Sequence, residues 1–247
     1  MDKKKLKKEI MSFQEIHHVE DYRNIKISVI LIQPEHAGNI GSIARIMKNF
    51  DFTKLVIFNP IETIEHILSY ETQGFAMHGK DILMNAEIVE IKDNEQHEIK
   101  LKNYLKQYDL VLATTAKGKR YTNIKRLAIL PEDLHIPRSE KLLSIAILFG
   151  KESRGLTNDE IGLADIILRI PTGIHYPSLN LSHACGIILY EIFKKINILT
   201  IGRGKNPVLL ADREDRQFLL KIVKEIIEIL KIRDYKKENV YFAFRNI

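Results

Sequence analysis

The sequence predicts an α/β fold, a parallel sheet flanked by helices on both faces, and three observations predict it. Short strand-sized runs, 27–32, 55–58, 109–114, 143–149 and 165–170, are apolar at consecutive positions instead of alternating, as strands covered on both faces require. Amphipathic stretches at helical spacing separate several of them. Proline, asparagine or glycine stops the runs at Pro34, Asn59-Pro60, Gly150 and Pro171.

Taken in order, Ile27-Ser28-Val29-Ile30-Leu31-Ile32 reads as a buried strand ending before Pro34. Ile40, Ile43, Ala44, Met47 and Phe50 then recur at helical spacing, with Asn39 placed to cap the start. After the strands at 55–58, 109–114, 143–149 and 165–170 comes a helix with the stripe Leu181, Ala184, Cys185, Ile188, Leu189, Ile192 and Phe193. Cys185 lies on that stripe, which makes it a core thiol. Gly202, Gly204 and Pro207 mark a linker over 198–210, and Asp212, Glu214 and Asp215 open a helix with apolar positions from Phe218 to Ile232. The organisation expected is a basic arm over 1–24, a main domain over 25–197, the linker, and a helical C-terminal segment over 211–247.

Composition sets limits. With 247 residues, 45% hydrophobic, 12 Gly, 7 Pro and a single Cys, the chain is neither disordered nor a disulfide framework. One cysteine cannot make an internal disulfide, which points to a reducing, cytoplasmic setting. No apolar run is long enough to span a bilayer, and the residues after the Lys-rich start lack the apolar region of a secretory signal. The net charge of +6 is concentrated. Residues 1–10 carry +3 and residues 117–126 carry +5, through Lys117, Lys119, Arg120, Lys125 and Arg126, so the remainder is slightly acidic. Such patches suit a polyanion or simply a solvated face.

Three segments carry candidate chemistry. Gly38 to Arg45 occupies a strand-to-helix passage where N–H groups can meet a phosphate, although an ordinary capped turn is the simpler reading of its spacing. Phe149-Gly150-Lys151-Glu152-Ser153-Arg154-Gly155-Leu156-Thr157 fails the Walker A pattern because Leu156 follows the second glycine. Pro171 to Asn180 joins the last strand to the striped helix, with Ser178 or Asn180 available as its cap. No His-Glu-x-x-His, Cys cluster or Gly-x-Ser-x-Gly elbow occurs, so neither a metal centre nor a serine hydrolase is expected, and the absence of Gly-x-Gly-x-x-Gly sets aside a dinucleotide dehydrogenase. Loops at Thr114-Thr115-Ala116, Gly150 and Ile170 all follow strands, the position where open parallel sheets bind ligands.

Asn39-Ile40-Gly41-Ser42-Ile43-Ala44-Arg45, the segment from Phe149 to Thr157, and Tyr176-Pro177-Ser178-Leu179-Asn180-Leu181 resemble the three ordered motifs of the SPOUT superfamily. Within it they are most similar to TrmH/TrmJ-type RNA ribose 2′-O-methyltransferases, and the resemblance covers about residues 25–197. It implies a C-terminal trefoil knot, an exception to the rule against threaded chains. It also implies S-adenosylmethionine as cofactor, a homodimer and no metal. The cofactor contacts it implies are Thr114, Thr115, Ala116, Gly150, Ile170, Pro177, Ser178 and Leu179. Around the target ribose it implies Asn39, Arg45, Glu152, Ser178 and Asn180. The basic patch of Lys117, Lys119, Arg120, Lys125 and Arg126 departs from the family's more Arg-rich stretch, but it directly follows Thr114–Ala116 at the expected active edge, so with Arg154 it is expected to meet the RNA. A guanidinium rarely loses a proton, so the role expected of Arg45 is to clamp phosphate and steady a developing alkoxide. The expected substrate is tRNA, at cytidine or uridine 32 in the anticodon loop. The alternatives are ribosomal RNA with the same chemistry, or a non-catalytic RNA-binding factor.

Overall fold

A computed structural model describes residues 15–91, 97–116, 127–137, 139–200, 213–230 and 232–245. The chain divides into two units, Met1–Thr200 and Ile201–Ile247. The first runs through β1 (Glu15–His18), β2 (Ile25–Ile32), α1 (Ala37–Asn49), β3 (Lys54–Phe58), α2 (Ile64–Ile67), α3 (Tyr70–Ala76), α4 (Lys80–Met84) and β4 (Glu87–Val89). It continues with α5 (His97–Leu105), β5 (Leu110–Thr114), β6 (Leu143–Phe149), α6 (Asn158–Ile161), β7 (Ile166–Leu168), α7 (Leu181–Ile196) and β8 (Asn197–Thr200). Six strands form one sheet in the order β4-β3-β2-β6-β5-β7, and every neighbouring pair is parallel.

The consecutive apolar residues are explained by the two faces. Val29, Leu31, Leu55, Ile57, Ile145 and Ile147 pack with Ile40, Ile43 and Met47 of α1 and with Cys185, Ile188 and Ile192 of α7. Their neighbours Ile30, Ile32, Val56, Phe58, Ala146 and Leu148 pack on the opposite face with Leu101 and Leu105 of α5. Burying each such Ile, Leu or Phe contributes about 1.5–3 kcal/mol, so residues of both parities favour the same sheet. Cys185 is fully buried and burial pushes its thiol pKa up, which leaves it an inert core group.

Four local expectations change. Asn39 does not cap α1: His36 holds the N-cap position without a side-chain bond, and Asn39 sits in the first turn. Gly41 serves helix packing, since a Cβ there would lie 2.5 Å from the Thr72 carbonyl oxygen of α3. Residues 15–18, assigned above to the arm, pair antiparallel with Asn197–Thr200, which takes 198–200 out of the expected linker. The strand β4 and the helices α2 to α4 were not anticipated, because elements of three to seven residues give little periodicity, and α5, nine residues long, buries only Leu101 and Leu105.

In the second unit the single expected helix is two, α8 (Arg213–Ile229) and α9 (Asp234–Arg245). Lys237 pairs with Glu228 at 2.9 Å and Lys224 lies over the Tyr241 ring at 5.0 Å, tying the two helices together. Among the described residues no helix is long and apolar enough to cross a membrane.

Candidate active site

A parallel sheet delivers all its carboxyl ends to one edge, and here β5, β6 and β7 open there into one cleft of about 160 Å³. Its walls include Thr114, Thr115, Ala116, Gly150, Ile170, Pro177, Ser178 and Leu179, all eight residues expected to meet a cofactor. Phe149, Leu156, Leu168, Leu181 and Ile188 supply an apolar side. Thr114 is held by a 3.0 Å bond from its hydroxyl to the Leu148 carbonyl. Gly150 is required by close approach, because a Cβ would lie 2.2 Å from the Leu156 nitrogen. Gly155, at φ +69°, turns the chain back so that its N–H donates to the Lys151 carbonyl at 2.8 Å.

A polar chain borders this cleft. The Glu152 carboxylate accepts from Asn39 Nδ2 and from the Glu35 backbone N–H, both at 2.9 Å. Asn39 Oδ1 accepts from Asn180 Nδ2 at 3.0 Å. Asn180 Oδ1 in turn accepts from the Ser182 N–H at 2.8 Å and its hydroxyl at 2.7 Å, so Asn180 is the cap of α7. Three residues expected at the ribose, Asn39, Glu152 and Asn180, are thus joined from three elements, and Ser178 lies on the cleft wall two residues before Asn180. The Glu152 oxygens meet Asn39 and the Glu35 N–H, and no ion pair with Arg154 forms among the described residues.

Arg45 is placed differently. It is exposed on α1, six residues beyond Asn39 and outside the cleft lining, about 9 Å further along the helix axis. Among the described residues it makes no hydrogen bond or ion pair, so its guanidinium is available to a ligand. Arg154 is exposed on the cleft wall. Lys117, Lys119, Arg120, Lys125 and Arg126 lie outside the described residues, directly after Ala116 of the cleft.

Sequence reasoning missed the second set of bonds behind this arrangement. Glu35 accepts from the Ser153 N–H at 2.9 Å and from its hydroxyl at 2.6 Å, and Lys151 Nζ donates to Gln33 Oε1 at 2.7 Å. The Ser153 hydroxyl is the main reason the Glu35 carboxyl sits below its ordinary pKa, against a smaller opposing effect of burial. Gln33 itself holds φ +49°, a strained value that turns the chain out of β2. Further back, Thr157 and Glu160 form a reciprocal capping box at α6, and His97 Nε2 meets the buried Glu160 at 3.0 Å. Burial raises the Glu160 pKa, but the bonds from His97 and Thr157 outweigh it and hold the carboxyl below its ordinary value. The only sequence signals are a polar residue beside a strand end for Glu35 and one at the start of a helix for His97, and neither names a partner.

The geometry agrees with three comparisons. Residues 26–190 match the model of the SpoU rRNA Methylase family. The chain is 36% identical over 225 residues to the tRNA (cytidine-2′-O-)-methyltransferase TrmJ of Methanocaldococcus jannaschii, covering 90% of this chain and 91% of that one. In structure it resembles a putative methylase family protein from Neisseria gonorrhoeae, with a TM-score of 0.54 and 26% identity over 83% of this chain and 96% of that one. A likeness of fold extends to the SpoU methyltransferase AviRb from Streptomyces viridochromogenes, solved with AdoMet, with a TM-score of 0.51 and 20% identity over 70% of this chain and 61% of that one. With its parallel sheet, its carboxyl-edge cleft and a family match across most of the first unit, the chain belongs to the SpoU methylase family, the TrmH/TrmJ-type branch of the SPOUT RNA methyltransferases.

Proposed function

We propose that the chain is an S-adenosylmethionine-dependent ribose 2′-O-methyltransferase acting on tRNA, at cytidine or uridine 32 of the anticodon loop. The observation that carries this reading is the convergence of the loops after β5, β6 and β7 on one cleft bordered by the Asn39–Glu152–Asn180 chain. Support for tRNA comes from the archaeal relative, whose name specifies cytidine 2′-O-methylation of tRNA. The C-terminal trefoil knot, the homodimer and the cytoplasmic setting belong to the same proposal.

The cleft suits the cofactor chemically. An adenosine and a sulfonium call for small side chains, backbone polar groups and apolar walls more than for charge, and Ala116, Gly150, Leu156 and Leu179 answer that description. Thr114 to Ala116, Gly150, Ile170 and Pro177 to Leu179 would hold it. When bound, the cofactor supplies a methyl group already activated on sulfur. What remains for the protein is to orient the ribose, exclude water and assist departure of the 2′ proton. Asn39 and Asn180 fix each other and Glu152, which presents Ser178 and the start of α7 in one geometry. Arg45 clamps an RNA phosphate and steadies the negative charge that develops on the 2′ oxygen. The basic stretch at 117–126 grips the backbone of the RNA, so binding falls steeply with salt.

Incubation with methyl-labelled S-adenosylmethionine and separate pools of tRNA and rRNA, followed by nucleoside mapping, tests the reading. Label on a 2′-O-methyl pyrimidine of the tRNA anticodon loop is expected. Label in rRNA alone would favour the second reading, which the family's own description supports, and label in neither pool would refute the enzyme. Arg45→Ala should lower transfer by about 100-fold or more while cofactor affinity holds, since the charge it steadies develops only during transfer.

A further inference from the structure

The cleft and the polar chain are mechanically one object through a pair of loops. Residues 150–155 line the cleft on their inner side. On their outer side they are bonded to the β2–α1 loop at four points. Lys151 Nζ donates to Gln33, the Ser153 N–H and hydroxyl donate to the Glu35 carboxylate, and the Glu35 N–H donates to Glu152. Glu35 is therefore at once acceptor to one residue of this loop and donor to its neighbour. Four residues later the same segment carries Asn39, which bonds Glu152 from the helix and reaches Asn180. The base of the 150–155 loop is close-packed, since a Cβ on Gly150 would lie 2.2 Å from the Leu156 nitrogen. The tip of the loop is held by side-chain bonds instead, Ser153 by Glu35 and Lys151 by Gln33.

We propose that Glu35 is a positioning residue that couples occupation of the cleft to the placement of Asn39, so that a filled cleft prepares the protein to receive RNA. The proposal rests on the reading of the cleft as the S-adenosylmethionine site. Its consequence is thermodynamic: cofactor and RNA each raise the affinity for the other by the same factor, and that factor depends on the Glu35 carboxylate. A charge-assisted bond of 2.6 Å to a hydroxyl and a second to an N–H make this a directional contact that alanine cannot replace. Glutamine retains one carbonyl acceptor and should preserve part of it.

The test measures binding of a fluorescein-labelled unmodified tRNA transcript by anisotropy, with and without saturating S-adenosylhomocysteine, so that no turnover intervenes. In the unmutated protein this demethylated product of the cofactor should tighten RNA binding by about tenfold. Glu35→Ala should bring that ratio close to one while calorimetric affinity for S-adenosylhomocysteine changes by less than about threefold, and Glu35→Gln should fall between. Ser153→Ala, which deletes only the hydroxyl, supplies an independent measure should Glu35→Ala fail to fold, and it too should lower the ratio. An unchanged ratio in the soluble variants overturns the proposal. A ratio of one in the unmutated protein, with both ligands bound, overturns it while leaving the enzyme reading intact; failure to bind S-adenosylhomocysteine at all brings down the cofactor reading and the proposal together.

Discussion

At the carboxyl edge of the sheet the loops after β5, β6 and β7 enclose about 160 Å³, and side chains more than a hundred residues apart in sequence are bonded across its rim. At the amino edge a larger hollow of about 590 Å³ is lined by Tyr22, Lys26, Phe50, Lys54, Tyr108 and Ser144. There the bonds are those of sheet construction: Asp109 accepts from the Ser144 N–H at 2.8 Å and Lys54 pairs outward with Glu87. The smaller space carries a glycine with no room for a side chain, a strained residue at Gln33 and a chain of amide and carboxylate bonds. The larger space has a strained residue of its own, Asp51 at φ +59°, but among the described residues no glycine and no such chain of bonds in its lining. Volume favours the amino edge, whereas the close-packed glycine and the long-range polar bonding set the carboxyl edge apart.

Substitutions can break this contrast. Gly150→Ala should have the largest effect, because its Cβ would meet the backbone of Gly155 and Leu156 and force the loop away from the cleft. Cofactor binding by calorimetry and transfer by label incorporation should both fall, transfer by about 100-fold or more as the groups lose alignment. Asn39→Ala removes the bridge between Glu152 and Asn180. It should lower kcat by about 10- to 100-fold with cofactor affinity little changed, and equal losses in both would show that Asn39 serves the fold alone.

A third change concerns pH. The Glu160 carboxyl lies below its ordinary value of 4.5 in the folded chain, so its stabilising bonds are fully present above that pH and are withdrawn as the pH falls below it. Glu160→Gln should therefore flatten the loss of stability below about pH 4.5 in denaturant titrations, and an unchanged acid limb would contradict the role given to His97 and Thr157. The smallest effect belongs to the amino edge, where Lys26→Ala should leave transfer within about twofold.

How far these features could be read beforehand depended on their range in sequence. The sheet was legible because β2, β3, β5 and β6 are unbroken apolar runs whose neighbours punctuate them, and the stripe of α7 repeated over sixteen residues. Of the eight cleft residues, Gly150, Pro177, Ser178 and Leu179 lie in the ordered motifs, whereas Thr114, Thr115, Ala116 and Ile170 were legible only as loops that follow strands. Asn39 was assigned to capping since Asn before an apolar stripe ordinarily caps, whereas a carboxylate 113 positions away claims it here. Glu35 and His97 stayed hidden for the same reason: a single polar side chain in a loop or at the start of a helix is equally at home in water, and only the folded chain brings Ser153 or Glu160 to it. Arg45 was recognisable by motif, and helical spacing sets it opposite the stripe of Ile40, Ile43, Ala44 and Met47, in agreement with its exposed place on α1.

The central claim is that the carboxyl-edge cleft, and not the larger hollow opposite, receives the cofactor. A crystal structure of the chain grown with S-adenosylhomocysteine tests it most directly. The account predicts density for the ligand between Thr114–Ala116, Gly150 and Pro177–Leu179, with Asn39, Glu152 and Asn180 still joined beside it. Density in the hollow formed by Tyr22, Lys26 and Phe50, or a saturating ligand that leaves the carboxyl-edge cleft empty, would contradict it.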